Sequence, residues 1–170
     1  MWASPASSGR SSPMASRRDQ IAMAPEELKA FVLREHTLII VSNGPGGFPH
    51  PLPMFFYYDE EGRFLVSTYG ASQKVKNLER DPRVALLIEA GEVYEQLQAM
   101  MAEATAEIID DTDFVVETMM NIRRQRDPAK TAFPPEEMEQ IRYAARKRVI
   151  LRFTPVKTIT WDHAKLGGSY

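Results

Sequence analysis

The chain has 170 residues, a net charge of −2, 44% hydrophobic and 26% charged residues, and no cysteine. Those values suit one globular domain, or one subunit of a compact oligomer, and argue against a general nucleic-acid or anionic-membrane binder. Without cysteine there are no disulfides, thiolate nucleophiles or Cys-ligated metals, as expected of a cytoplasmic setting. No apolar run approaches the roughly 20 residues of a membrane span, and the start of the chain has no apolar signal core.

Residues 1–20 are rich in Ser, Ala, Pro and Arg and are expected to form a disordered tail, leaving 21–170 as the folded domain. A helix is expected from Pro25, with Leu28, Phe31 and Val32 on one face. Thr37–Val41 reads as a strand, 43–47 (NGPGG) as a turn, and 49–58 (PHPLPMFFYY) as a second strand. Strand Phe64–Thr68 follows, then a short helix opened by Ser72 and stopped around Asp81-Pro82. Further strands are read at Val84–Ile88 and Gln98–Ile109. Helices are read at 112–124 and 136–146, and a last strand over 149–161 is interrupted near Pro155. Strands at such regular spacing predict a mainly β barrel or sandwich with flanking helices.

Three constellations draw attention. The helix after Ser72 begins with Lys74 and Lys76, where the helix dipole favours acids. Lysines there make sense beside an anion, so Thr68, Ser72, Lys74 and Asn77 read as a phosphate cradle. The competing reading is a solvated connecting helix. Secondly, Pro49, Pro51 and Pro53 alternate, so one side of that strand cannot donate hydrogen bonds and should be an edge or an opening in the sheet. Beyond them, Met54–Tyr58 is apolar on both faces and needs a core on one side and a subunit or flat ligand on the other. Thirdly, Trp161, Asp162 and His163 mark either an interface or ligand edge, or a capped core. The three histidines have no metal-ligand spacing, so no metal is expected.

These pieces, in this order, resemble the pyridoxamine 5′-phosphate oxidase-like superfamily, in its flavin and deazaflavin oxidoreductase branch. The matching stretches are 43–50 (NGPGGFPH), 54–58, Ser67-Thr68-Tyr69 with 72–75 (SQKV), 77–84 (NLERDPRV), 89–94 and 160–165. The resemblance implies an FMN-binding split β-barrel, homodimeric, with the cofactor between subunits. It places the cofactor phosphate on Thr68, Gln73, Lys74 and Asn77 and the ring along the strand 53–57, so the cofactor-binding candidates are Pro53, Met54, Phe55, Phe56, Ser67, Thr68, Ser72, Gln73, Lys74 and Asn77. His50 and Tyr57 are candidate proton donors. Pyridoxine phosphate oxidases carry basic residues where this chain has Pro51 and Phe56, which argues against vitamin B6 oxidation.

The expected function is therefore an oxidoreductase using coenzyme F420 or FMN to move a hydride to or from a small unsaturated substrate. The alternative is a flavin- or haem-binding protein without turnover.

Overall fold

The computed structural model describes residues 16–167, and the expectation for residues 1–15 lies outside them. Within the segment expected to be disordered, Arg17–Ile21 instead forms a short helix, α1, capped by Ser16 and Asp19. Two hydrogen bonds from Lys165, to the Ala22 carbonyl and the Glu27 carboxylate, tie down the chain just after it.

Helix α2 (Pro25–Arg34) starts at proline as read and buries Phe31 and Val32. Strands β1 (Thr37–Asn43) and β2 (Pro49–Phe55) form a hairpin. Its turn needs glycine at Gly47, where φ is +81°, and at Gly44, where a Cβ would lie 2.8 Å from the Phe48 carbonyl oxygen. Then come β3 (Tyr57–Tyr58), β4 (Phe64–Tyr69), α3 (Gln73–Arg80), β5 (Arg83–Ala90) and β6 (Gln98–Ile109). Helices α4 (Thr112–Arg126) and α5 (Pro135–Ala145) precede the last strand, β7 (Arg148–Asp162).

The seven strands make one antiparallel sheet in the order β2-β1-β5-β6-β7-β4-β3. Strand β2 is an edge, as its missing donors require. The expected strand 49–58 is divided at Phe56, and its two parts lie at opposite edges of the sheet. Only Phe56 separates them, so Phe55 and Tyr57 are within about 7 Å. The sheet must therefore curl until its edges meet at Phe56 without a ladder between them. That seam makes the barrel a split one.

Alternation decides what faces the inside. Leu38 and Ile40 of β1, Leu86 and Ile88 of β5, and Leu151 and Phe153 of β7 fill the curl, with Val75 and Leu78 of α3 among them. Strands β4 and β7 are also covered outside, where Leu65 and Ile150 pack against Val115, Met119 and Ile141 of α4 and α5. The interruption read near Pro155 is a bulge within a continuous strand. Ala104 pairs with Pro155 and Glu103 with Lys157, leaving Val156 as the extra residue.

Candidate functional site

The site lies where β4 runs out of the core into α3, beside the seam. Ser72 stands at the N-cap of α3 but makes no capping bond. Its Oγ is buried without a partner, as are Ser67 Oγ on β4 and Arg148 Nε at the start of β7. Register sets Arg148 opposite Tyr69, over whose ring its guanidinium stacks at 4.3 Å. A buried polar atom left unpaired costs about 1–3 kcal/mol. All three groups are able to donate, so an acceptor would satisfy each of them.

Lys74 lies against the same place. Its Nζ donates to Thr68 Oγ1 at 2.9 Å, which brings these two expected site residues together. Burial, and then the Arg148 charge, push the lysine pKa below its usual value. Among the described residues neither Lys74 nor Arg148 forms a salt bridge. Two neighbouring cations, partly desolvated, with orphaned donors beside them, fit a phosphate-type anion.

Next to the cradle, a cavity of about 380 Å³ opens between the β2 edge, β4 and α4. Met54, Phe55, Ser67 and Arg148 line one side, and Met119, Ile122, Arg123 and Arg126 the other. The Arg126 guanidinium covers the Phe55 ring at 3.6 Å. Prolines 49, 51 and 53 cannot form the hydrogen-bonded pairs with β1, so these and Thr37↔Phe55 are the non-bonded pairs of the ladder. The Phe55 N–H therefore points away from β1, toward the seam. It is the outward donor that the prolines do not supply, which suits backbone contact with a ring acceptor.

Several expected site residues sit elsewhere. Phe56 is wholly buried, its ring 5.5 Å from Phe64, because the chain dives inward to cross between the sheet edges. Its side chain belongs to the core and does not line the cavity. Asn77 is also fully buried, its Oδ1 accepting from Gln73 and its Nδ2 donating to Ser42, which sets it behind the surface of the expected cradle. Pro53 is exposed and alternates with Met54, so its ring faces away from the interior. Gln73, exposed at the first turn of α3, remains beside the cradle.

His50 pairs with Ser42, and its Nδ1 is buried without a partner. It lies four residues from Met54, about 13 Å along the strand. Tyr57 faces a separate cavity of about 290 Å³ with Asp59, Glu60 and Glu117. Burial first, then those carboxylates, raises its phenol pKa. Neither residue lines the cavity beside the cradle. Trp161 and His163 line a third cavity with Tyr94, at the other end of β7 from Arg148.

Sequence reasoning missed Arg148 and the α4 wall. A basic residue opening a strand reads as surface, and nothing in the sequence reveals that Arg148 lies opposite Tyr69. The Arg123–Arg126 cluster reads as the favourable basic end of a helix.

The family pattern described as "Pyridoxamine 5′-phosphate oxidase" matches residues 24–162. No curated protein matches the chain. Among solved structures, it is similar to the conserved hypothetical protein Rv2991 from Mycobacterium tuberculosis, with 29% identity, 92% of this chain and 95% of that one covered, and a TM-score of 0.81. An F420 reductase shares 19% identity over 79% of this chain and 98% of its own, with a TM-score of 0.60. HutZ, the heme storage protein from Vibrio cholerae, shares 17% over 80% and 94%, also at 0.60. The last two likenesses are of fold.

Proposed function

This chain belongs to the pyridoxamine 5′-phosphate oxidase family, and from that premise we propose that it is an oxidoreductase built around a phosphate-bearing flavin-type cofactor, coenzyme F420 or FMN. The observation that carries the reading is the Lys74 ammonium, bonded to Thr68 Oγ1 and close enough to feel the Arg148 charge, at a corner of β4, α3 and β7 that also holds three buried donors without a partner among the described residues, Ser67 Oγ, Ser72 Oγ and Arg148 Nε. When bound, such a cofactor supplies hydride transfer to or from a small unsaturated substrate.

The chain's own residues bind and orient. Lys74 and Arg148 neutralise the phosphate, and Ser67, Thr68, Ser72 and Gln73 direct hydrogen bonds at it. Met54 and Phe55 form an apolar wall for the ring, and the Phe55 N–H reaches a ring acceptor. Met119 and Ile122 give the far wall its apolar part.

We also propose that two copies assemble and that the cofactor lies at their interface. Ile39, Val41, Ala85, Leu87 and Met101 share the outer face of β1, β5 and β6 and remain partly exposed. Phe55 at the seam is 49% exposed. A second copy supplies the cover both lack.

A second reading is a binding protein without turnover. It draws support from the cavity lining, which presents no carboxylate, histidine or phenol to move a proton. One experiment separates the two. The purified protein is titrated with FMN and with F420, the bound cofactor is reduced, and quinones or nitro compounds are offered. Reoxidation faster than that of free cofactor supports the enzyme, binding without it supports storage, and no binding of either cofactor refutes both.

A further inference from the structure

We infer that Asn77 is a positioning residue that acts on the bound anion through Gln73, and that Ser42 is its anchor. The inference rests on the cofactor reading above and adds a layer behind it. Gln73 Nε2 donates to Asn77 Oδ1 at 2.9 Å, and Asn77 Nδ2 donates to Ser42 Oγ at 3.1 Å. Asn77 has no exposed surface and Ser42 only 1%, while Gln73 is exposed. The chain of bonds therefore starts in the core on β1 and ends at the first turn of α3, beside Ser72 and Lys74.

The chemistry of the amides sets the direction of control. Asn77 accepts from Gln73 and donates to Ser42, and its complete burial keeps what remains of its amide away from the open side. Gln73 has committed one N–H and keeps the other, with its carbonyl oxygen, for the open side. A free glutamine side chain samples many rotamers, and ordering it on binding opposes affinity. The bond to Asn77, one helical turn on, fixes Gln73 before any ligand arrives. The same face of α3 is fastened again at its end, where Asn43 Nδ2 donates to Asp81 Oδ2 at 2.9 Å and Arg80 donates to the Asn43 carbonyl. Helix α3 is thus clamped to β1 at two levels, and the cradle is held by the barrel wall.

The test is a double-mutant cycle on FMN affinity. Asn77→Leu is made together with Ser42→Ala, so that no buried hydroxyl is orphaned, in the wild-type and Gln73→Ala backgrounds. The pair is expected to weaken FMN by about tenfold when Gln73 is present and by less than about twofold when it is absent. Losses that simply multiply, or an unchanged affinity with Gln73 present, overturn the inference. Should FMN fail to bind, the cycle is run on F420; failure of both would refute the cofactor reading instead, and a ligand-free readout keeps the inference decidable. In the wild type the Gln73 side-chain amide should give protected NMR resonances with cross-relaxation to Asn77, lost in the Asn77→Leu/Ser42→Ala protein. A freely averaging Gln73 amide in the wild type overturns the inference by itself.

Discussion

Replacing Lys74 by methionine should separate binding from stability. The ammonium donates to Thr68 Oγ1 at 2.9 Å, lies near the Arg148 charge, and has no salt-bridge partner among the described residues. A hydrogen bond to a charged group is worth about 1.5–3 kcal/mol, so Lys74→Met should weaken FMN or F420 about 10- to 150-fold. The unliganded protein should behave differently. Burial holds the folded-state lysine pKa below the ordinary lysine value of 10.5. The unfolded chain therefore binds the proton more tightly, and the charged lysine weakens the empty fold at neutral pH. That penalty fades as pH rises from the folded-state pKa toward 10.5. Lys74→Met removes it and gives up one neutral-acceptor bond, so the melting temperature of the empty protein should stay level or rise. Fluorescence titration and thermal melts read both quantities. Unchanged affinity, or a variant that melts well below wild type and binds poorly only for that reason, would refute the reasoning.

Arg148→Met should weaken the cofactor by about tenfold for the same reason, measured by the same titration. Phe56→Ala should lower stability by about 3–5 kcal/mol in denaturant melts, because it empties a fully buried site. Phe55→Ala should lower stability by only about 1 kcal/mol, the scale of its contact with Arg126, while reducing cofactor affinity. Cofactor affinity should also fall with rising pH through the Lys74 titration, earlier than an ordinary lysine would allow, as a pH series of titrations will record. Met101→Lys should shift sedimentation toward the monomer and weaken cofactor binding together, since the charge enters the proposed interface.

The sequence carried the fold further than the site. Apart from β3, the strands leave their mark as β-branched, apolar or alternating runs, and the three prolines identify β2 as an edge by chemistry alone. The crossing at Phe56 is not legible, since one buried aromatic among five apolar residues looks like its neighbours; only the sheet order reveals that the chain changes edges there. The proposed cradle draws on Ser72 and Lys74 because lysines defy the dipole at a helix start. Arg148 was not legible, since its role depends on which strand β7 pairs with. The same limit explains Asn77. Spacing places it one turn from Gln73, but only the packing of α3 on β1 shows that Ser42 claims the other end of its amide. The tail reading gave way at Arg17–Ile21, where a Ser16–Asp19 capping box makes a short helix from residues that look like linker.

The most direct measurement is a crystal structure of the full chain grown with FMN or F420. The expected result is a phosphate within hydrogen-bonding distance of Ser72 Oγ, Lys74 Nζ and Arg148 Nε, with the ring against Met54 and Phe55. A cofactor phosphate bound elsewhere, with those three groups still unpaired or facing bulk water, would contradict the assignment.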